Sequence, residues 1–64
     1  MNAIITIGGR EHDITCGLMI SDAVRSLGFV PDAFIFMVEG RPVPMDTHVA
    51  DGMSVKAVKV ASGG

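Results

Sequence analysis

Read by its apolar positions, the chain falls into five strand-like stretches and one helical one. Ala3-Ile4-Ile5-Thr6-Ile7 is β-branched and predicts a strand in which Ile5 and Ile7 face a core and Thr6 faces out. Gly8-Gly9 supplies positive-φ positions and His12-Asp13-Ile14-Thr15 can return antiparallel, so the two stretches predict a hairpin. Gly17 breaks the second strand. From Ile20 the period changes: Ile20, Ala23, Val24 and Leu27 fall at i, i+3, i+4 and i+7, one helical stripe. Ser21 and Asp22 suit the helix start by capping and by charge, and Gly28 stands where a left-handed cap is expected.

Beyond the helix, Phe29-Val30-Pro31-Asp32 reads as a connector in which Pro31 bars further helix. Phe34-Ile35-Phe36-Met37-Val38 is the most apolar run, and its length between Pro31 and Gly40 predicts a central strand. Glu39-Gly40 marks a turn, and Arg41-Pro42-Val43-Pro44 can form only a short edge strand, because prolines donate nothing to a ladder. Met45 to Ala50 reads as a loop, Asp51-Gly52 as a turn, and Val55 to Val60 as the last strand. Hairpin, helix, strand, short strand and last strand make an α+β arrangement. The layout is that of a β-grasp: a mixed four- to five-stranded sheet with one helix packed across one face.

Composition narrows the function. Sixty-four residues make one domain, and at this size only about 60% of the unfolded surface is buried. A hydrophobic fraction of 48% supplies one core, filled by Ile, Val and Met because the aromatics are only Phe29, Phe34 and Phe36. A two-carboxylate pocket or a cofactor crevice is hard to carve from so small a core, so the expectation is a non-enzyme without bound cofactor. The net charge of −2 and the absence of a Lys/Arg run disfavour nucleic acid. A single cysteine, Cys16, fits a reducing compartment. No stretch approaches the roughly 20 apolar residues of a membrane span, so the chain reads as soluble and cytoplasmic.

The candidate chemistry sits at the end. Residues 1–60 form the expected domain and 61–64 a flexible tail closing on Gly63-Gly64. Such a tail presents an α-carboxylate on a thread without side chains, able to enter a channel too narrow for any Cβ.

With the element order in place, the chain resembles the ThiS/MoaD family of sulfur-carrier proteins, prokaryotic relatives of ubiquitin, over essentially its whole length. The resemblance rests on Glu39-Gly40-Arg41-Pro42-Val43-Pro44, on Val49-Ala50-Asp51-Gly52-Met53-Ser54-Val55 and on the Gly63-Gly64 end. It implies a protein co-substrate whose terminal carboxylate is adenylated with ATP by a ubiquitin-activating-type adenylyltransferase. Sulfur delivery then gives a thiocarboxylate, which a sulfur-accepting synthase consumes. Gly64 would bear the reactive carboxylate and Gly63 would permit its passage. A carboxylate of pKa about 3.5 is ionised and unreactive at neutral pH, which is why activation is needed. The resemblance further implies a monomer when free. Met53-Ser54 is less acidic than the family's usual residues after Asp-Gly, and the chain length is nearer thiamin-type than molybdopterin-type carriers. Small archaeal modifier proteins share fold and ending, and there a target protein's lysine captures the same adenylate. A plain binding module of this fold would instead keep its function without Gly63 and Gly64.

Strand alternation also predicts a contact surface. With Val55, Ala57, Phe36 and Val38 inward, Ile35, Met37, Val58 and Val60 face out as an apolar patch beside the tail. Lys56, Lys59 and Arg41 around it either meet an acidic partner rim or solvate an edge. Cys16 reads as a small half-buried side chain, and His12 and His48 as surface residues remote from any metal cluster. Gly8-Gly9 lacks the residues of a phosphate loop.

Overall fold

Within the described residues 2–60 of this computed structural model, strand alternation sorts the side chains into two faces. Strand β1 (Asn2–Ile7) buries Ala3, Ile5 and Ile7 to 5% exposure or less, while Ile4 between them stays 37% exposed. Strand β2 (Arg10–Thr15) returns antiparallel through Gly8-Gly9, both at positive φ (59° and 80°), and Ile7 pairs with Arg10. Two consecutive left-handed residues match the right-handed twist of the flanking strands, and glycine adopts them without a Cβ clash. The expected tail over 61–64, with Gly63 and Gly64, lies outside the described residues.

Helix α1 (Ile20–Ser26) carries the predicted stripe. Ile20, Ala23 and Val24 are at most 1% exposed, and Leu27 packs against the same cluster. Its C-terminus closes as expected at Gly28 (φ 91°). The Gly28 N–H donates to the Arg25 carbonyl at 2.9 Å and the Phe29 N–H to the Val24 carbonyl at 3.1 Å, the two bonds of a Schellman motif. Its N-terminus differs from the expectation. Met19 is the N-cap and no side chain caps the helix; Ser21 is buried inside the first turn, and exposed Asp22 pairs with Arg25 at 3.5 Å. The free N–H groups of Ile20 and Ser21 donate instead to the Thr47 and Met45 carbonyls, each at 2.9 Å. Stretch 44–53 is therefore a clamp as well as a connection. Val49, 2% exposed, anchors it in the core, and its N–H donates to the Leu18 carbonyl while its carbonyl accepts from Gly17.

A 3-10 turn (Pro31–Ala33) begins on Pro31, whose fixed φ suits that position, and leads into β3 (Phe34–Val38). A tight turn at Glu39-Gly40 then reverses the chain into β4 (Arg41–Val43). Strand β5 (Ser54–Lys59) completes a five-stranded mixed sheet of order β2-β1-β5-β3-β4, in which β1 and β5 run parallel and every other pairing is antiparallel. The edges are the charged β2 and the Pro42-bearing β4, both poor templates for further pairing. The core lies between helix and sheet, where Ile20, Ala23 and Val24 cluster with Ile5, Ile7, Ile14, Phe36, Val55 and Ala57.

Glu39 is the non-glycine residue held at positive φ (53°) among the described residues, followed by Gly40 at 77°. The left-handed region costs a side chain with a Cβ about 1–2 kcal/mol, and asparagine tolerates it best. Glu39→Asn is expected to raise stability by about 0.5–1 kcal/mol, read as a higher urea midpoint at unchanged slope.

Candidate functional site

The sheet face away from α1 has no element of the described chain covering it. Its side chains follow from the registers. On β3 and β5, Ile35 stands opposite Val58 and Met37 opposite Lys56. Directly opposed residues have Cβ atoms about 5 Å apart, so each pair forms a contiguous unit. Ile35 is 47% and Val58 41% exposed, Lys56 is exposed and Met37 half-buried. Four of the residues singled out from sequence thus meet on one face.

The other three separate from them. Lys59 pairs with Phe34, and Arg41 with Val38, so both stand at inward-facing positions and are exposed only because they end their strands. Neither borders the apolar rows. Val60 lies one residue past β5, half-buried, where its N–H donates to the Ala33 carbonyl at 2.9 Å and fastens the strand end to the 3-10 turn.

Sequence reasoning left out part of this face. Parallel pairing sets Ile4 beside Ser54 and Thr6 beside Lys56, so β1 extends the surface with one exposed isoleucine and one hydroxyl. Beyond β1, Glu11 stands opposite Thr6 and Asp13 opposite Ile4, both exposed. Alternation alone turns Ile4 and Thr6 outward. Their position beside β5 depends on a pairing between opposite ends of the chain, which no local pattern encodes.

The middle row therefore reads Glu11, Thr6, Lys56, Met37, Pro42 across the five strands. A depression of about 280 Å³ opens on it, lined by Thr6, Met37, Glu39, Ser54 and Lys56 among others. A second, of about 520 Å³, lies between the β3–β4 turn and the stretch before β5 and contains Glu39, Asp51 and Ser54. The one ion pair among the described residues is Asp22–Arg25, so Lys56 has no carboxylate within 4.0 Å there. The surface offers apolar contact and one cation.

Cys16 is half-buried against the core, as its surroundings in sequence suggest. His48 is exposed and bridges to Met19. His12 corrects the expectation of a surface residue: its register with Ile5 places it on the helix side, half-buried, edge-on to Phe29 with ring centroids 6.0 Å apart. Phe29 in turn meets Phe34 at 6.0 Å, so the imidazole ends a short aromatic chain. Among the described residues, no group of three or more His, Cys, Asp or Glu is placed to hold a metal ion, and no helix is long and apolar enough to cross a membrane.

No family model matches the chain. An uncharacterized protein of Archaeoglobus fulgidus is 42% identical to it over 48 residues, which is 75% of this chain and 70% of the archaeal one.

Proposed function

Since the chain belongs to the same family as the Archaeoglobus fulgidus protein, whose name assigns no activity, we propose a function from the residues themselves: a β-grasp sulfur carrier loaded at its C-terminal glycine. The observation that carries the reading is the sheet order β2-β1-β5-β3-β4, with β5 central and parallel to β1, followed in sequence by the Gly63-Gly64 pair that the proposal takes as the C-terminus. The resemblance to ThiS/MoaD carriers at Glu39–Pro44 and Val49–Val55 supports it. In the structure the first of these stretches is the Glu39-Gly40 turn with β4, and the second holds the Val49 anchor and the entry to β5.

The chemistry needs two steps, both performed on a partner. An activating enzyme joins the Gly64 carboxylate to AMP with release of pyrophosphate, and a sulfur donor then displaces AMP to leave a thiocarboxylate. This chain contributes the carboxylate and the surface by which it is recognised, namely Ile35, Met37, Lys56 and Val58. It acts as a cytoplasmic co-substrate that binds no cofactor, and thiamin-type sulfur delivery is preferred to molybdopterin-type on chain length. The proposal includes Gly64 as bearer of the terminal carboxylate, which intact mass of the protein from its native cell checks.

Incubation with ATP, the activating enzyme and a sulfur donor is expected to raise the intact mass by the difference between sulfur and oxygen. No such change, with AMP formed, overturns the carrier reading. Lysine-linked Gly-Gly remnants in the native cell would mean capture by amines, hence a ubiquitin-like modifier.

A further inference from the structure

We infer that the outer sheet face is charge-ordered across its strands, and that its partner is a protein surface of matching order: cations opposite β2, an apolar centre opposite β3 and β5, and a carboxylate opposite Lys56. The inference rests on the carrier reading and specifies the partner's chemistry and orientation. Two exposed carboxylates, Glu11 and Asp13, lie on β2; the next strand carries Ile4 and Thr6; the next carries Lys56 between Ser54 and Val58; then come Ile35 and Met37. Strands are spaced about 4.8 Å, so the acids stand roughly 10 Å from the Lys56 strand, about one Debye length at 0.1 M salt. They remain distinct features to an approaching surface, and Lys56 is not neutralised by a carboxylate within 4.0 Å among the described residues.

This order disfavours the other occupants. Nucleic acid and anionic lipid are repelled by the acidic edge. A second copy stacked face to face about a twofold axis along β5 would set Lys56 against Lys56. Shifting the axis to β1 brings Lys56 over the second copy's Glu11 but carries β3 past that copy's edge, leaving Ile35 uncovered. A heterologous protein surface satisfies all three zones, and only one way round: turned by half a revolution, its cations would meet β4, which presents Pro42 on this face.

The test uses ATP–pyrophosphate exchange by the purified activating enzyme with the full chain as substrate. Lys56→Glu and the double variant Glu11→Lys/Asp13→Lys are each expected to lower kcat/KM about tenfold or more at low salt with kcat retained, because complementary charge acts on encounter and register. Wild-type kcat/KM should fall as salt rises, and Asp46→Lys, a two-charge change like Lys56→Glu but at an exposed position before Val49, should stay within twofold of wild type. Circular dichroism melting checks that each variant is folded. Charge variants matching wild type while Ile35→Asp loses activity would overturn the charge order and leave the carrier reading standing. No exchange with wild type removes both. Concentration-dependent dimers abolished by Ile35→Asp would assign the face to a second copy and overturn the inference.

Discussion

Deleting Gly63 and Gly64 is expected to reduce adenylation and thiocarboxylate formation to background while leaving the thermal midpoint within a few degrees of wild type. The two halves of this result have separate causes. Every hydrogen bond and core contact described above lies within residues 2–60, and the last of them, Val60 to Ala33, precedes the deletion. Removal of terminal residues is costly only where they are tied down, and the carrier reading assigns Gly63 and Gly64 to the partner's site. The reaction, in contrast, has no other carboxylate to use in the same way: a side-chain acid on the domain cannot reach a buried adenylation site on a backbone thread. The measurement pairs calorimetry with pyrophosphate release. Retained activity would leave the domain as a binding module and end the carrier reading. A large fall in melting temperature would show instead that the last residues belong to the fold.

Phe36→Ala is expected to cost about 3–5 kcal/mol, the range for a buried phenylalanine truncated to alanine. Phe36 is 2% exposed, is among the largest fully buried side chains and meets Phe34 with ring centroids 6.3 Å apart. A chain of sixty-four residues has a total stability of about 3–10 kcal/mol, so this one change removes much or all of it. The neighbouring Ile35, 47% exposed on the opposite face, sets the contrast: Ile35→Ala should cost less than about 0.5 kcal/mol. Urea denaturation of the two variants reads both numbers. Equal costs at these adjacent positions would mean that the outer face is covered in solution.

That contrast between adjacent residues also marks what could be read from the chain. Alternation assigned Ile35 and Phe36 to opposite faces, the i, i+3, i+4, i+7 stripe placed α1, and paired or single glycines placed the turns and the helix end. These are local rules, each satisfied by neighbours within a few positions. The departures arise where distant segments meet. Ser21 was expected to cap the helix, but carbonyls of Thr47 and Met45 accept its first N–H bonds, and a hydroxyl is not needed once a strand-like segment lies alongside. Val49 looked like one residue of a loop, yet it is a core residue at 2% exposure. Arg41 and Lys59 were grouped with Lys56 by charge, whereas the register puts them on the other face. His12 reads as a surface residue because no metal cluster frames it, whereas its register with Ile5 turns it inward against Phe29. For the site, two outward rows were legible on β3 and β5, while Ile4, Glu11 and Asp13 joined only through the β1–β5 pairing.

That parallel pairing also governs when the molecule can exist during its synthesis. The central strand β5 and its parallel neighbour β1 come from opposite ends of the described residues, with Ile5 aligned to Val55. Until the ribosome has released β5, the β1–β2 hairpin and the β3–β4 hairpin have no strand between them, and isolated hairpins are marginally stable in water. Folding therefore waits for β5, when non-local closure entropy is met all at once. A chain interrupted before Ser54 leaves both hairpins without their shared neighbour and open to degradation.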